Sequence, residues 1–264
     1  MSGVTSPSSG YRERNSTADR ALDILLMFTD AQPVMSGNAI AEHLGVARST
    51  AYRYLQSLVN TRFLEEAPGG GFRLGLRILE IARVARRSYG LSEVALPAMT
   101  MLSEQAQETV LLTRRSGDLV VCVDRVEVET RPVRISYERG SSLPLNAGAS
   151  ALALLAWSPT AAVRTLLSNA RLQKFTPATL TSIDALMHRL AEIRQKGFAV
   201  TRGELDADVL GIAAPITDEG GQVVAAVSVA ALASRVNAKA ESNLVKLVLV
   251  TARQISDGLA VIAG

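Results

Sequence analysis

The stretch Met35 to Leu74 limits what this chain can fold into more than any other. Ser36 is a good N-cap, because its hydroxyl can accept from the free backbone N–H groups of a following turn. Ile40, Ala41 and Leu44 then recur on one helical face, and Gly45 tolerates the left-handed conformation that ends a helix. A second helix is expected within two or three residues. Ala51, Leu55 and Leu58 point inward on it, while Arg48, Ser49, Thr50, Tyr52, Arg53 and Gln56 fall outside that stripe. Two short helices joined by a Gly-containing turn make a helix-turn-helix.

The outward set on the second helix holds two arginines, two small hydroxyls, a tyrosine and an amide, with no acid. Arg and Gln can pair with purine edges in the major groove, and Ser, Thr and Tyr can reach phosphates. Residues near the start of such a helix lie deepest in the groove. Downstream, Phe63-Leu64 and Phe72-Arg73-Leu74 flank Pro68-Gly69-Gly70-Gly71, which reads as a tight hairpin, or wing. Glycines at its tip let backbone approach a sugar-phosphate strand. Any amphipathic helix has a solvated face, and small helix pairs also occur in protein–protein modules. The Gly45 turn, the acid-free face and the wing, all in order, favour double-stranded DNA. The candidate contacts are Ser36, Arg48, Ser49, Thr50, Tyr52, Arg53, Gln56, Gly70, Gly71 and Arg73.

Charge agrees with that placement. The chain has 264 residues and a net charge of +3. Residues 1–90 hold 11 arginines against 8 acids, whereas residues 91–264 are balanced at 17 against 17, so the positive excess sits where a polyanion would be met. The single Cys122 excludes an intrachain disulfide and makes a Cys-based zinc site implausible, and His43 and His188 lie far apart. No apolar run approaches the roughly 20 residues that span a bilayer, and no secretory pattern opens the chain. A cytoplasmic protein without membrane attachment is the expectation.

Composition and periodicity divide the chain into a mobile tail (1–16), a winged helix-turn-helix (17–75), a linker helix (76–90) and a second domain (91–264). The first true helix, Ala18 to Phe28, is expected to bury Leu22, Leu25 and Leu26, with Ala21 and Phe28 beside them. Leu76 to Arg87 alternates apolar residues with arginines, too polar for a core helix and too regular for a loop. The second domain begins with a helix from Ser92 to about Glu108. Strands follow at Thr109 to Thr113, Leu119 to Val126 and Pro132 to Tyr137. A loop from Gly140 leads to a buried helix, Ala147 to Trp157, and a short helix starts at Pro159. Ser182 caps a helix from Ile183 to Lys196 that Gly197 ends. Strands at Val209 to Thr217 and Gln222 to Ala230 precede a long helix, Ala238 to Ala263. That order indicates an α+β fold, an antiparallel sheet covered by helices.

No catalytic constellation is visible in the second domain: no phosphate-binding Gly loop, no nucleophile elbow, no base beside a nucleophile. Glu204, Asp206 and Asp208 alternate; on an extended segment they would share one face and could hold a hard cation, yet a solvated loop needs no such role. Asn146 to Ser150 opens a helix, so free N–H groups and the positive helix end form a ready site for a carboxylate. Small residues there, at Gly211 to Ala214 and at Ser228 to Ala230 either leave room beside the sheet or serve tight helix–sheet packing. Spacing alone does not choose.

The chain resembles the IclR-type (isocitrate lyase regulator) transcription factors from about Ala21 to Val261. The markers are Ile40 to Arg53, Phe72-Arg73-Leu74-Gly75, Pro144-Leu145-Asn146-Ala147, Lys196 to Val200 and Ile212-Ala213-Ala214-Pro215-Ile216. The resemblance implies an N-terminal winged helix-turn-helix and a C-terminal GAF-like effector domain, with no enzymatic activity and no cofactor or metal. It also implies operator binding as a homodimer or dimer of dimers, as repressor, activator or both, under control of a small organic or aromatic acid. Carried over by position, the effector pocket involves Ala149, Ser150, Thr201, Gly211, Ser228 and Ala230, with an apolar wall of Ile135, Leu143 and Val209. Gly211 stands where many members have Cys, Ala230 where some have Ser, Thr201 where some have Asp, and Leu152 replaces a frequent Lys. Each change removes a polar group or volume, so a wider, less polar pocket for an aromatic or longer-chain ligand is expected.

Overall fold

The computed structural model describes residues 16–88, 90–128 and 137–263. The expected tail up to residue 15 and the candidate wall residue Ile135 lie outside them, as does the expected third strand except for Tyr137, which is in no strand. Contacts divide the chain into two compact units between Ala85 and Arg86.

The N-terminal unit runs α1 (Ser16–Leu26), α2 (Gly37–Leu44), α3 (Arg48–Asn60), β1 (Leu64–Glu66) and β2 (Phe72–Leu74), and α4 (Arg77–Ser88) starts within it. Its core gathers Ile24, Met35, Ile40, Leu44, Leu55, Leu58, Leu64 and Phe72. The expected inward face of α1 is corrected here. Leu22 and Leu26 are 59% and 80% exposed, and Ile24 is fully buried with Ala21, Leu25 and Phe28 packed beside it. Ala21, Ile24 and Leu25 follow the i, i+3, i+4 stripe of α1, with Phe28 just past its end, and Leu22 and Leu26 lie about 110° and 150° from the stripe's centre. The wing is a two-stranded antiparallel ladder with Glu65 opposite Arg73. Met35 bridges to Phe72, which ties the segment before α2 to the wing.

The C-terminal unit is built on a six-stranded antiparallel sheet. Its strands are β3 (Thr109–Ser116), β4 (Leu119–Val126), β5 (Ser142–Leu143), β6 (Ala199–Arg202), β7 (Val209–Thr217) and β8 (Val223–Leu232), in the spatial order β5-β4-β3-β8-β7-β6. Alternation along β3 assigns its side chains to two faces. Val110 and Leu112 join a core with α5 (Leu91–Ala106) and α9 (Ala238–Ala263). Leu111 joins the opposite core, with α6 (Ala149–Ala156), α7 (Thr160–Asn169) and α8 (Ile183–Lys196). Two edge strands add to the expected set: β5 lies within the expected Gly140 loop, and β6 follows the Gly197 cap. Both are short, two and four residues, and fall below what period-two alternation can register. Among the described residues no helix is long and apolar enough to cross a membrane.

Candidate DNA-binding and effector sites

Two places in the fold concentrate the candidate residues. On the N-terminal unit, Ser36 caps α2, its Oγ accepting from the Ala39 N–H at 3.1 Å, and Gly45 closes the helix at φ 64°. Ser36 therefore serves the turn first. Ala47, at the start of α3, supplies no side-chain cap, which leaves first-turn N–H groups for another acceptor. Arg48, Ser49, Arg53 and Gln56 are exposed on α3, and Thr50 is half-buried. Neither Arg48 nor Arg53 has an ion pair among the described residues.

Tyr52 is anchored as well as exposed. Its ring meets Phe72 edge-on at 6.2 Å and 73°, and it lies so close to Gly37 that a Cβ there would come within 2.8 Å. The tyrosine thus fixes α3 against both the start of α2 and the wing. Arg73 is less available than the sequence suggested, because its Nε donates to Glu65 Oε1 at 2.7 Å across the ladder. Gly70 and Gly71 both take positive φ, 89° and 84°. A Cβ on Gly70 would meet nothing, whereas one on Gly71 would lie 2.7 Å from the Met35 carbonyl.

The second place is a cavity of about 50 Å³ on the α6 side of the sheet, opening into about 470 Å³ of atom-free space that includes its mouth. It brings together Leu143, Ala149, Ser150, Thr201, Val209, Gly211, Ser228 and Ala230, every described member of the expected pocket. Gly148, at φ 87°, turns the chain into α6 without a side-chain cap. Ser150 and Ser228 spend a hydrogen bond on each other, Oγ to Oγ at 2.8 Å. The expected gain in width at Gly211 does not appear. A Cβ there would sit 2.9 Å from Thr201 Oγ1 and 3.2 Å from the Ala149 Cβ, so the neighbours have already closed in.

Tyr137, Glu204 and Asp206 also line the cavity, and sequence reasoning did not put them there. The three alternating carboxylates do not lie on an extended segment. They lie in the turn between β6 and β7, with Glu204 buried and Asp208 exposed, and the described residues contain no cluster placed to hold a metal. Glu204 Oε1 takes Arg189 Nη2 at 3.3 Å. Burial pushes the Glu204 carboxyl above its ordinary range, and Arg189 and the Gly148 N–H pull it back part of the way. Burial likewise raises the Tyr137 phenol, with the Asp206 charge adding to it. A turn carboxylate reads as solvated in a sequence until its burial is known.

Residues 17–68 match the model of the IclR helix-turn-helix domain, and residues 84–257 match that of the bacterial transcriptional regulator IclR C-terminal domain. The chain belongs to the IclR family. IclR proteins are transcriptional regulators, not enzymes; the helix-turn-helix binds DNA and the C-terminal domain binds an effector. The chain is 31% identical over 223 residues to the HTH-type transcriptional regulator XynR of Escherichia coli (strain K12), covering 84% of this chain and 88% of that one. It is 29% identical over 242 residues to the HTH-type transcriptional repressor AllR of the same strain, covering 91% and 89%. Among solved structures it is similar to an IclR homolog from Microbacterium hydrocarbonoxydans complexed with 4-hydroxybenzoate. That likeness has a TM-score of 0.79 at 28% identity and covers 92% of this chain and 98% of that one.

Proposed function

We propose that this IclR regulator binds a small organic or aromatic acid in the α6 cavity, and that the acid modulates its grip on double-stranded operator DNA. The supporting observation is the cavity itself, where an uncapped helix start and two facing hydroxyls, Ser150 and Ser228, meet mainly apolar walls. A helix N-terminus favours a carboxylate, and apolar walls suit the rest of an aromatic or longer-chain acid. The similar Microbacterium hydrocarbonoxydans protein holds an acid of this class, 4-hydroxybenzoate.

At the DNA end, Arg48, Ser49, Thr50, Tyr52 and Arg53 enter the major groove, and the wing from Gly69 to Gly71 lies along the backbone. The protein acts as a homodimer or dimer of dimers, so that two α3 helices read two half-sites. Ligand binding biases the placement of the reading heads through residues 76–87. A mobility-shift titration with the operator, with and without 4-hydroxybenzoate and related acids, tests the reading. At least a fivefold change in affinity with one of them is expected, and equal affinity with every acid refutes the coupling. In the same assay Arg53→Ala should lose about 1–3 kcal/mol at one base if it pairs with guanine, or weaken all sequences alike and flatten the salt slope if it meets only phosphate.

A further inference from the structure

Glu204 lines the cavity beside the start of α6, where Arg189 and the Gly148 N–H both act on its carboxyl. It is 6% exposed, and Oε2 is buried with no hydrogen-bond partner among the described residues. The side chain is not at liberty to leave. Its other oxygen holds Arg189, and its own carbonyl accepts from Thr179 Oγ1 at 2.5 Å, which pins the turn. A buried acceptor left unpaired is costly, and a donor brought to it is correspondingly favoured. Among the described residues lining the cavity there is no Arg, Lys or His, while Glu204 and Asp206 both bring carboxylates. A ligand that offers only a carboxylate brings a third acid to the cavity and leaves Oε2 as it was.

We infer that Glu204 selects for a hydrogen-bond donor on the effector, so that the pocket takes hydroxy acids in preference to acids that lack the hydroxyl. The ligand is then bipolar: its carboxylate meets the Ser150 and Ser228 hydroxyls and its own hydroxyl donates to Glu204 Oε2. A site built around a buried acceptor discriminates strongly, because the analogue without the donor leaves that acceptor unpaired. This rests on the acid-effector reading and narrows it.

The experiment compares matched pairs by calorimetry on the full chain: benzoate against 3- and 4-hydroxybenzoate, and propionate against lactate and 3-hydroxypropionate. In at least one pair the hydroxylated member should bind tenfold tighter or better. Glu204→Gln keeps the shape but offers only a neutral acceptor, and should cut that ratio threefold or more. Glu204→Met should bring it near one, with circular dichroism confirming its fold. If Glu204→Met does not fold, Glu204→Gln carries the comparison. Binding without hydroxyl preference, or a preference unchanged in a folded variant, overturns the role of Glu204 and leaves the acid-effector reading standing. No binding by any member overturns that reading, and this inference with it.

Discussion

Replacing Gly71 and Gly70 by alanine, one at a time, separates two costs that wings usually hide together. Both residues have φ in the left-handed region, 84° and 89°, so an alanine at either carries a backbone strain of about 1–2 kcal/mol. At Gly70 nothing else follows, since a Cβ there meets no atom within 4 Å. At Gly71 the new Cβ would lie 2.7 Å from the Met35 carbonyl oxygen, which is backbone and cannot rotate away. That oxygen accepts from the Phe72 N–H at 2.8 Å, and the Met35 N–H donates back to the Phe72 carbonyl at 3.0 Å. Each such bond is worth about 0.5–1.5 kcal/mol net, so losing both brings the Gly71→Ala cost to about 2–5 kcal/mol. Urea unfolding followed by far-UV circular dichroism measures the totals. Amide exchange at Met35 and Phe72 localises the difference, and both amides should exchange much faster in Gly71→Ala but not in Gly70→Ala. Equal destabilisation by the two variants, with both amides still protected, would refute the reasoning.

Three further outcomes follow from the geometry. Ser36→Ala removes the cap on α2 and should lower stability by about 1 kcal/mol in urea titration. Gly211→Ala forces its Cβ against Thr201 and Ala149 and should cost about 1–3 kcal/mol by the same measurement, with less cost when Thr201→Ala removes the nearer oxygen. Because the folded protein raises the Glu204 pKa above its ordinary value of 4.5, the native state holds that proton more tightly than the unfolded chain does. Stability from this group is therefore present at acid pH and is lost as pH rises through the raised pKa. Melting curves of Glu204→Gln against the parent should separate in the variant's favour as pH goes from 4 to 8.

Legibility in the sequence followed the length and period of each element. The α2 helix was readable to the residue because cap, stripe and left-handed Gly45 coincide, α3 only as a helix close behind it, and the same conjunction made α8 readable from Ser182 to Gly197. The long α9 was readable from its sustained apolar stripe. The failures are local. Three leucines and one isoleucine in eleven residues of α1 admit two overlapping stripes, and the packing of Ile24 against the helix pair decides between them. The Arg73–Glu65 pair was recoverable in principle from the wing register, since a tight turn places these residues opposite each other. Glu204 was not recoverable. Its burial depends on α8 presenting Arg189, which lies 15 residues away along the chain and carries no sign of the pairing.

The small residues around α6 left two readings open, room for a ligand or tight packing, and the structure gives each its own place. At Gly211 the neighbours have closed in; between Ser150, Ser228 and the mouth a cavity persists. Its polar groups are only half engaged, because Ser150 donates to Ser228 Oγ and the Ser228 proton is left to donate. A carboxylate entering here can accept from Ser228 with that bond intact, and accepts from Ser150 as well only by breaking it. The first bond, worth about 0.5–1.5 kcal/mol net, is set against the hydration the carboxylate loses, and the second only replaces a protein bond of the same size, so this end comes close to balance. If an acid binds here as proposed, affinity and choice come from elsewhere in the pocket, from apolar burial along Leu143 and Val209 and from Glu204 Oε2, a buried acceptor with no hydrogen bond to give up among the described residues.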